Sequence, residues 1–272
     1  MNHLKLLALA VLLCVSVNIY AETDTIAINS LKMNKTIHNI VVTPDGYSSD
    51  MSYPVVYMLH GYGDSYEGWL KKVPAIRDLA TLYQVIIVCP DGSTSWYMDS
   101  PIDPSSQYET YITKELLPFI DNNYNTIKQR ESRAITGLSM GGHGALYLAI
   151  KHRNLFANAG SLSGGVDLTY SVTSWDIAKK LGPYKGNEDL WHKNSITTMA
   201  NTLNNNELNL YIDCGSEDFF IGVNRLLHSR LLEKKIAHDY SERPGGHEWR
   251  YWDNAIKYQM LYFSTKLIYK PL

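Results

Sequence analysis

Cysteine is scarce in this chain. Of 272 residues only three are Cys, and Cys14, Cys89 and Cys214 are too few and too scattered for a disulfide framework or a structural zinc site. The chain also has no His-Glu-x-x-His or Cys-x-x-Cys pattern, so neither a metal ion nor any other cofactor is expected. Charge of one sign is missing as well: 25 basic residues against 27 acidic ones leave a formal charge of -2. With Lys and Arg dispersed, nothing marks the chain as a nucleic-acid binder. No apolar run reaches the length of a transmembrane helix, no internal repeat appears, and no low-complexity linker divides the chain. A hydrophobic fraction of 45% with 19% charged residues is the composition of a folded globular chain with one sizeable core.

Aromatics make up 11% of the chain, and 20 residues are Tyr. Tyrosine pairs a flat apolar ring with a polar tip, a property that suits sugar or phenolic ligands as well as ordinary packing. At the N-terminus, Lys5 precedes an apolar run from Leu6 to Val17 and the small residue Ala21. This is the pattern of a signal peptide over residues 1–21, with the mature chain starting near Glu22 and destined for the periplasm or the exterior. Lipidation at Cys14 is the less favoured alternative, because Leu13 is not the small residue that normally precedes such a cysteine.

Residues 22–272 are expected to form one α/β domain. Thr25 to Val42 alternates apolar and polar residues about a break at Met33 to Lys35, as in an antiparallel edge hairpin. Farther on, 54–59, 84–89, 133–136, 157–161 and 208–213 are short β-prone runs, several continuously apolar, as strands buried on both faces must be. Between them, helical periodicity covers roughly 73–83, 108–124, 140–152, 219–235 and 249–266. Alternation of this kind predicts a mostly parallel central sheet with helices on both faces. The stretch from about 166 to 206 has helical patches, Trp175, Trp191 and no convincing strand, and is expected to be a lid-like insertion over one end of the sheet.

Arg133-Ala-Ile-Thr-Gly-Leu-Ser-Met-Gly-Gly142 sets Gly137-x-Ser139-x-Gly141 between a strand and a helix. The glycines permit the sharp turn that exposes a nucleophilic Ser139, and the following helix directs its N-terminus at developing negative charge. A serine hydroxyl needs a base. Of nine histidines, His247 is chosen because Pro244-Gly-Gly-His-Glu-Trp249 is a glycine loop late in the chain, before the last helix. His143, in the elbow helix, is expected to point away from Ser139, while His152, His228 and His238 are read as surface or helical residues. The acid should follow a late strand and precede the base. Asp218 in Cys214-Gly-Ser-Glu-Asp218 is preferred, with Asp213 at the strand end and Glu217 as alternatives. His60 opens His60-Gly-Tyr-Gly-Asp64 and is expected to shape the loop whose Tyr62 N–H, together with that of Met140, would face the oxyanion.

Trp96, Tyr97 and Asp99 fall on the same rim as the elbow, where two readings stay open. They line the leaving-group side of a pocket, or Trp96 packs under the insertion and Asp99 caps a turn. Trp249 is expected to pack against the last strand, and Glu109 with Arg133 to form an internal ion pair.

These motifs together resemble the esterase D superfamily. The resemblance rests on His60 to Asp64, Pro90-Asp-Gly92 with Trp96 to Ser100, Glu109 to Tyr124, Gly137 to Gly142 and Gly245 to Trp249, and spans roughly 53–252. The superfamily includes feruloyl and acetyl-xylan esterases of carbohydrate esterase family 1, tributyrin-type esterases, S-formylglutathione hydrolases and mycolyltransferases. The resemblance implies an α/β-hydrolase fold, the roles given above for Ser139, Asp218, His247, Tyr62 and Met140, and a small-molecule or polysaccharide-linked ester as partner. The expectation is an exported serine carboxylesterase acting on short-acyl or hydroxycinnamoyl esters of plant polysaccharide or oligosaccharide through an acyl-enzyme. The alternatives are acyl transfer to a sugar or lipid acceptor, or an inactive hydrolase-fold binding module. The sequence leaves the oligomeric state open.

Overall fold

A computed structural model of the protein describes residues 22–270. The signal-peptide reading of residues 1–21 lies outside the described residues, as does the Cys14 alternative. Among the described residues no helix is long and apolar enough to cross a membrane.

Eight strands form one sheet in the order β1-β2-β4-β3-β5-β6-β7-β8. They are β1 (Thr23–Ser30), β2 (Lys35–Val42), β3 (Val55–Leu59), β4 (Ile86–Pro90), β5 (Arg133–Gly137), β6 (Asn158–Leu162), β7 (Asn209–Gly215) and β8 (Asp239–Arg243). The hairpin β1–β2 is antiparallel and β2 joins β4 antiparallel. From β4 to β8 every pairing is parallel, so the mostly parallel sheet expected from continuous apolar runs is present. β8 was not among the predicted strands: its Asp-Tyr-Ser-Glu-Arg sequence lies partly exposed at the sheet edge and carries no apolar run.

The helices are α1 (Gly68–Lys72), α2 (Ile76–Leu82), α3 (Tyr108–Thr110), α4 (Leu117–Asn123), α5 (Met140–Lys151), α6 (Ile177–Leu181), α7 (Glu188–Asn194), α8 (Ile196–Met199), α9 (Ile221–Glu233) and α10 (Trp249–Ser264). A π-helical segment, Tyr111–Leu116, joins α3 to α4 just before Pro118, whose missing N–H removes one helical hydrogen bond. Side chains alternate across the sheet. Val55, Tyr57 and Leu59 of β3 pack with residues of α3 through α5 and α9, while Val56 and Met58 pack with α1, α2 and α10. Apolar cover on both faces is what the strand composition requires.

The stretch 166–206 contains α6, α7 and α8 with two short 3-10 turns, Leu168–Tyr170 and Ala200–Thr202, and no strand. Trp191 Nε1 donates to the Gly182 carbonyl at 3.0 Å within the stretch, and Arg230 of α9 ties it to the rest of the fold by donating to the Thr197 carbonyl. The chain turns that carry the motif residues all follow the carboxyl ends of parallel strands: His60 after β3, Ser139 after β5, Asp218 after β7 and His247 after β8. Open parallel sheets place ligands at that end.

Candidate active site

The turn from β5 into α5 forces Ser139 to φ 55 and ψ -116, a region that L-residues seldom occupy. Its neighbours hold it there. The Ser139 N–H donates to the Leu162 carbonyl at 2.9 Å, and its own carbonyl accepts from Gly165 N–H at 3.2 Å and His143 N–H at 3.1 Å. A side chain at Gly137 would enter the Gly141 backbone, and one at Gly141 would enter the carbonyls of Leu59 and His60. Two glycines therefore let the elbow press flat against the end of β3, and Ser139 stays half-buried at its tip.

His247 Nε2 lies 2.9 Å from Ser139 Oγ, and His247 Nδ1 lies 2.8 Å from Asp218 Oδ2. A carboxylate can only accept, so Nδ1 carries the proton and Nε2 presents its lone pair to the hydroxyl. The Asp218 side chain is fully buried and its Oδ1 accepts the Phe220 N–H at 2.8 Å, which fixes the carboxylate plane. The loop before α10 packs on the loop after β7: Glu217 N–H donates to the Gly245 carbonyl at 3.0 Å, and any side chain at Gly215 would meet that same carbonyl. Rings enclose the imidazole, with Phe219 at 4.2 Å, Trp252 at 4.8 Å and Phe220 at 5.5 Å between centroids. Of the two other acids weighed, Asp213 is committed elsewhere, accepting from Tyr251 Oη at 2.6 Å and pairing with Arg243. Glu217 is exposed.

The loop after β3 lies against the nucleophile, since a Cβ built on Gly61 would stand 3.5 Å from Ser139 Cβ. His60 is buried and anchors it. Its Nδ1 donates to the Gly61 carbonyl at 2.8 Å, and its Nε2 accepts the Gly92 N–H at 2.8 Å. Met140 is the first residue of α5, so its N–H has no acceptor within the helix. Among the described residues neither the Tyr62 nor the Met140 N–H donates to a protein acceptor. The Tyr62 side chain, 36% exposed, donates its hydroxyl to Asp176 Oδ2 at 3.0 Å.

Trp96, Tyr97 and Asp99 are engaged in internal contacts of the rim. Trp96 and Tyr97 are buried. Trp96 Nε1 donates to the Trp175 carbonyl of the insertion at 3.0 Å. Tyr97 Oη accepts the His60 N–H at 3.0 Å, and Asp99 accepts from the N–H and hydroxyl of Thr110 at 2.9 and 2.5 Å. All three thus brace the rim. The Glu109–Arg133 pairing is also corrected. Arg133 bonds Asp121 at 2.5 Å, while Glu109 accepts from Tyr147, Lys151 and His152. Burial opposes its ionisation, but those three donors outweigh it and hold the carboxyl at about 2. Trp249 meets Trp69 of α1 edge-on at 5.4 Å.

His143 is fully buried, and burial drives its imidazole down to about 4; Nε2 donates to the Asn194 carbonyl at 2.8 Å. His228 and His238 bond each other at 2.7 Å, away from Ser139. Among the described residues no group of three or more His, Cys, Asp or Glu side chains is placed to hold a metal ion. Sequence reasoning missed Phe219 and Asp176. Phe219 is adjacent to Asp218, which was a usable signal; nothing in the sequence pointed to Asp176.

The model of the Esterase family matches residues 30–263. An esterase of Mycobacterium tuberculosis is 30% identical over 239 residues, 77% of this chain and 52% of that protein. The chain thus spans about half the length of that relative. An acetyl esterase of Caldicellulosiruptor saccharolyticus is 28% identical over 247 residues, covering 83% of this chain and 91% of its own length. Among solved structures, a ferulic acid esterase superposes with a TM-score of 0.80 at 24% identity, over 91% of this chain and 99% of that one. That likeness shows the α/β-hydrolase fold.

Proposed function

The chain belongs to the Esterase family, and from that premise we propose that it hydrolyses carboxylic esters with Ser139 as nucleophile, His247 as general base and Asp218 as the acid that orients it. The observation that carries the proposal is the unbroken line from Oγ through the imidazole to the buried carboxylate, at 2.9 and 2.8 Å.

In this reading Ser139 Oγ attacks the ester carbonyl carbon as His247 Nε2 takes the hydroxyl proton. The Asp218 carboxylate stabilises the resulting imidazolium without accepting the proton. The carbonyl oxygen becomes an oxyanion facing the Tyr62 and Met140 amides. Each such donor is worth about 3 kcal/mol of barrier, because it is aligned before the charge develops. Collapse of the tetrahedral species breaks the bond to the alcohol, which leaves with the proton from His247. Water, deprotonated by His247, then cleaves the acyl-enzyme and regenerates Ser139.

The proposed substrates are short-acyl or hydroxycinnamoyl esters on plant polysaccharide or oligosaccharide. Two exposed rings support this: Phe219, against the base and 45% exposed, and Tyr170, against Phe220 and 46% exposed, offer flat apolar faces to a sugar or phenolic ring. The names of the acetyl esterase and the ferulic acid esterase point the same way. Export, read from the apolar segment Leu6 to Val17, is part of the same proposal, since the polymer lies outside the cell. Residues 166–206 are proposed as the lid-like part of the domain.

The test is turnover of p-nitrophenyl acetate, longer acyl esters, methyl ferulate and acetylated xylan by the parent and by Ser139→Ala. The parent should turn over at least one of these, and the variant should lose at least ~10³-fold while unfolding at the parental temperature. A variant that keeps a tenth of the activity, or a parent inactive on every ester, defeats the proposal.

A further inference from the structure

We infer that His60 is a positioning residue for the oxyanion, acting through the Gly61–Tyr62 peptide: its imidazole holds and polarises the carbonyl of the peptide whose N–H, that of Tyr62, faces the developing charge. The inference rests on the serine-esterase reading, which is what gives the Tyr62 N–H a role.

β3 and β4 are parallel neighbours, so the loops leaving their carboxyl ends meet, and His60 stands between them, 1% exposed. Its Nδ1 lies 2.8 Å from the Gly61 carbonyl and its Nε2 lies 2.8 Å from the Gly92 nitrogen. A carbonyl only accepts and a peptide N–H only donates, so Nδ1 carries the proton and Nε2 presents a lone pair. No other protonation state satisfies both bonds. The opposite tautomer and the imidazolium each set an N–H against the Gly92 N–H. Asp91 Oδ1, 3.8 Å from Nε2, is beyond hydrogen-bond reach and accepts the Ser93 N–H at 2.7 Å instead. The loop after β4 thereby decides which ring nitrogen donates to the loop after β3.

Further bonds keep both partners in place. Tyr97 Oη accepts the His60 N–H at 3.0 Å and donates to the His60 carbonyl at 3.3 Å. The Gly92 carbonyl accepts from Ser95 Oγ at 2.6 Å and from Ser95 N–H at 3.1 Å, and a side chain at Gly92 would enter the Tyr97 ring. The effect on the site then passes through a single plane. The peptide is trans, and a planar trans peptide points its carbonyl and its N–H in opposite directions. Holding the Gly61 carbonyl therefore sets the direction of the Tyr62 N–H. That carbonyl accepts twice, from His60 Nδ1 at 2.8 Å and from Asp64 N–H at 3.2 Å. Electron density drawn to the oxygen leaves the N–H at the far end a stronger donor. The Met140 N–H, at the start of α5, takes its polarity from the helix instead.

A histidine that merely fills the core and one that aligns an oxyanion donor make different kinetic predictions. Alignment acts in the transition state and not on bound substrate, so its loss lowers kcat and kcat/KM equally. A boronic acid, which adds to the serine and places an oxygen at the oxyanion position, should lose affinity in parallel. The two ring nitrogens can be tested apart: Asn sets an amide N–H where Nδ1 stands, and Gln sets an amide oxygen where Nε2 stands. We would prepare the full chain as His60→Ala, His60→Asn and His60→Gln, and measure thermal unfolding, kcat, KM and inhibition by a small alkyl boronic acid on one soluble ester. The nitrogen-15 shifts of the His60 ring in the parent would report its tautomer directly.

The expected result is a fall of about 30-fold in kcat for His60→Ala and His60→Gln, somewhat less than the ~10²-fold that outright loss of one oxyanion donor costs. Boronate affinity should drop alongside it with KM in place. His60→Asn, which keeps the donor to Gly61, should stay within about fivefold of the parent, the scale of one side-chain hydrogen bond, even where its unfolding temperature is lowered as much as that of His60→Gln. In the parent, the ring should carry its proton on Nδ1. A folded His60→Gln that outperforms His60→Asn, a loss confined to KM, or an unchanged kcat would overturn the inference while leaving the serine-esterase reading intact. Should none of the variants fold, the parent's ring shifts decide, and a proton on Nε2 would overturn it. A parent that neither turns over an ester nor binds the boronate would remove the serine-esterase reading, and the inference with it.

Discussion

Ser139, Asp218 and His247 follow the ends of buried parallel strands, whereas Tyr170, Trp175 and Asp176 belong to an insertion of short helices and turns. The sheet-borne half is held by backbone: Ser139 by the Leu162 carbonyl, Asp218 by the Phe220 amide, and the His247 loop by the Glu217 amide. The insertion-borne half is held by side chains reaching across long stretches of sequence, as from Trp96 to Trp175 and from Tyr62 to Asp176. In the proposed reading, chemistry that tolerates little displacement rests on the stiffer framework, and the contacts proposed to choose among substrates rest on parts that can vary without disturbing it.

The contrast predicts graded consequences. Asp218→Asn should lower turnover by about 10⁴-fold, because an amide supports the wrong imidazole tautomer and cannot stabilise the cation. Equal thermal unfolding with near-parental kcat would shift the acid elsewhere and break the comparison at its strongest point. Asp213→Asn, five residues back on the same strand exit, should do the opposite. It weakens a buried pair with Arg243 and a bond from Tyr251, at a cost of about 3 kcal/mol in stability. That is a drop of about 10 °C in unfolding temperature for a domain of this size, with kcat within about threefold of the parent. A collapse in kcat at unchanged stability would count against it. The smallest effect belongs to the insertion. Tyr170→Ala removes a ring that stacks on Trp175 at 6.4 Å, and should lower the ratio of kcat/KM for an acetylated xylooligosaccharide over that for ethyl acetate by about threefold, the scale of one aromatic contact. An unchanged ratio would mean that the exposed rings do not read the alcohol.

The sheet-borne half was largely legible in the sequence. A strand buried on both faces must be apolar throughout, which is why 54–59 and 84–89 announce β3 and β4, and a strand-to-helix elbow needs small residues at Gly137 and Gly141, whose side chains would otherwise meet backbone. The choice of Asp218 over Asp213 was argued from loop against strand, and the structure brings Asp218 to the imidazole. What escaped was tertiary. Arg133 was paired with Glu109 on charge alone, yet Asp121 lies beside it and Glu109 has three donors of its own. Trp96 and Asp176 meet partners 79 and 114 residues away in sequence, Trp175 and Tyr62, and no local pattern encodes such meetings.

The strand hardest to see from composition guards the sheet's far margin. β8 leaves a row of backbone donors and acceptors facing outward, an invitation for another chain to add itself as a ninth strand. Asp239 and Glu242 stand along it, and Arg225 of α9 reaches over to clasp Glu242. Charge at a sheet margin makes a docking strand strip solvated ions before it can pair. The polarity that hid β8 from pattern reading thus also disfavours edge-to-edge pairing, and a chain in which Asp239 and Glu242 are made neutral should precipitate sooner on standing than the parent.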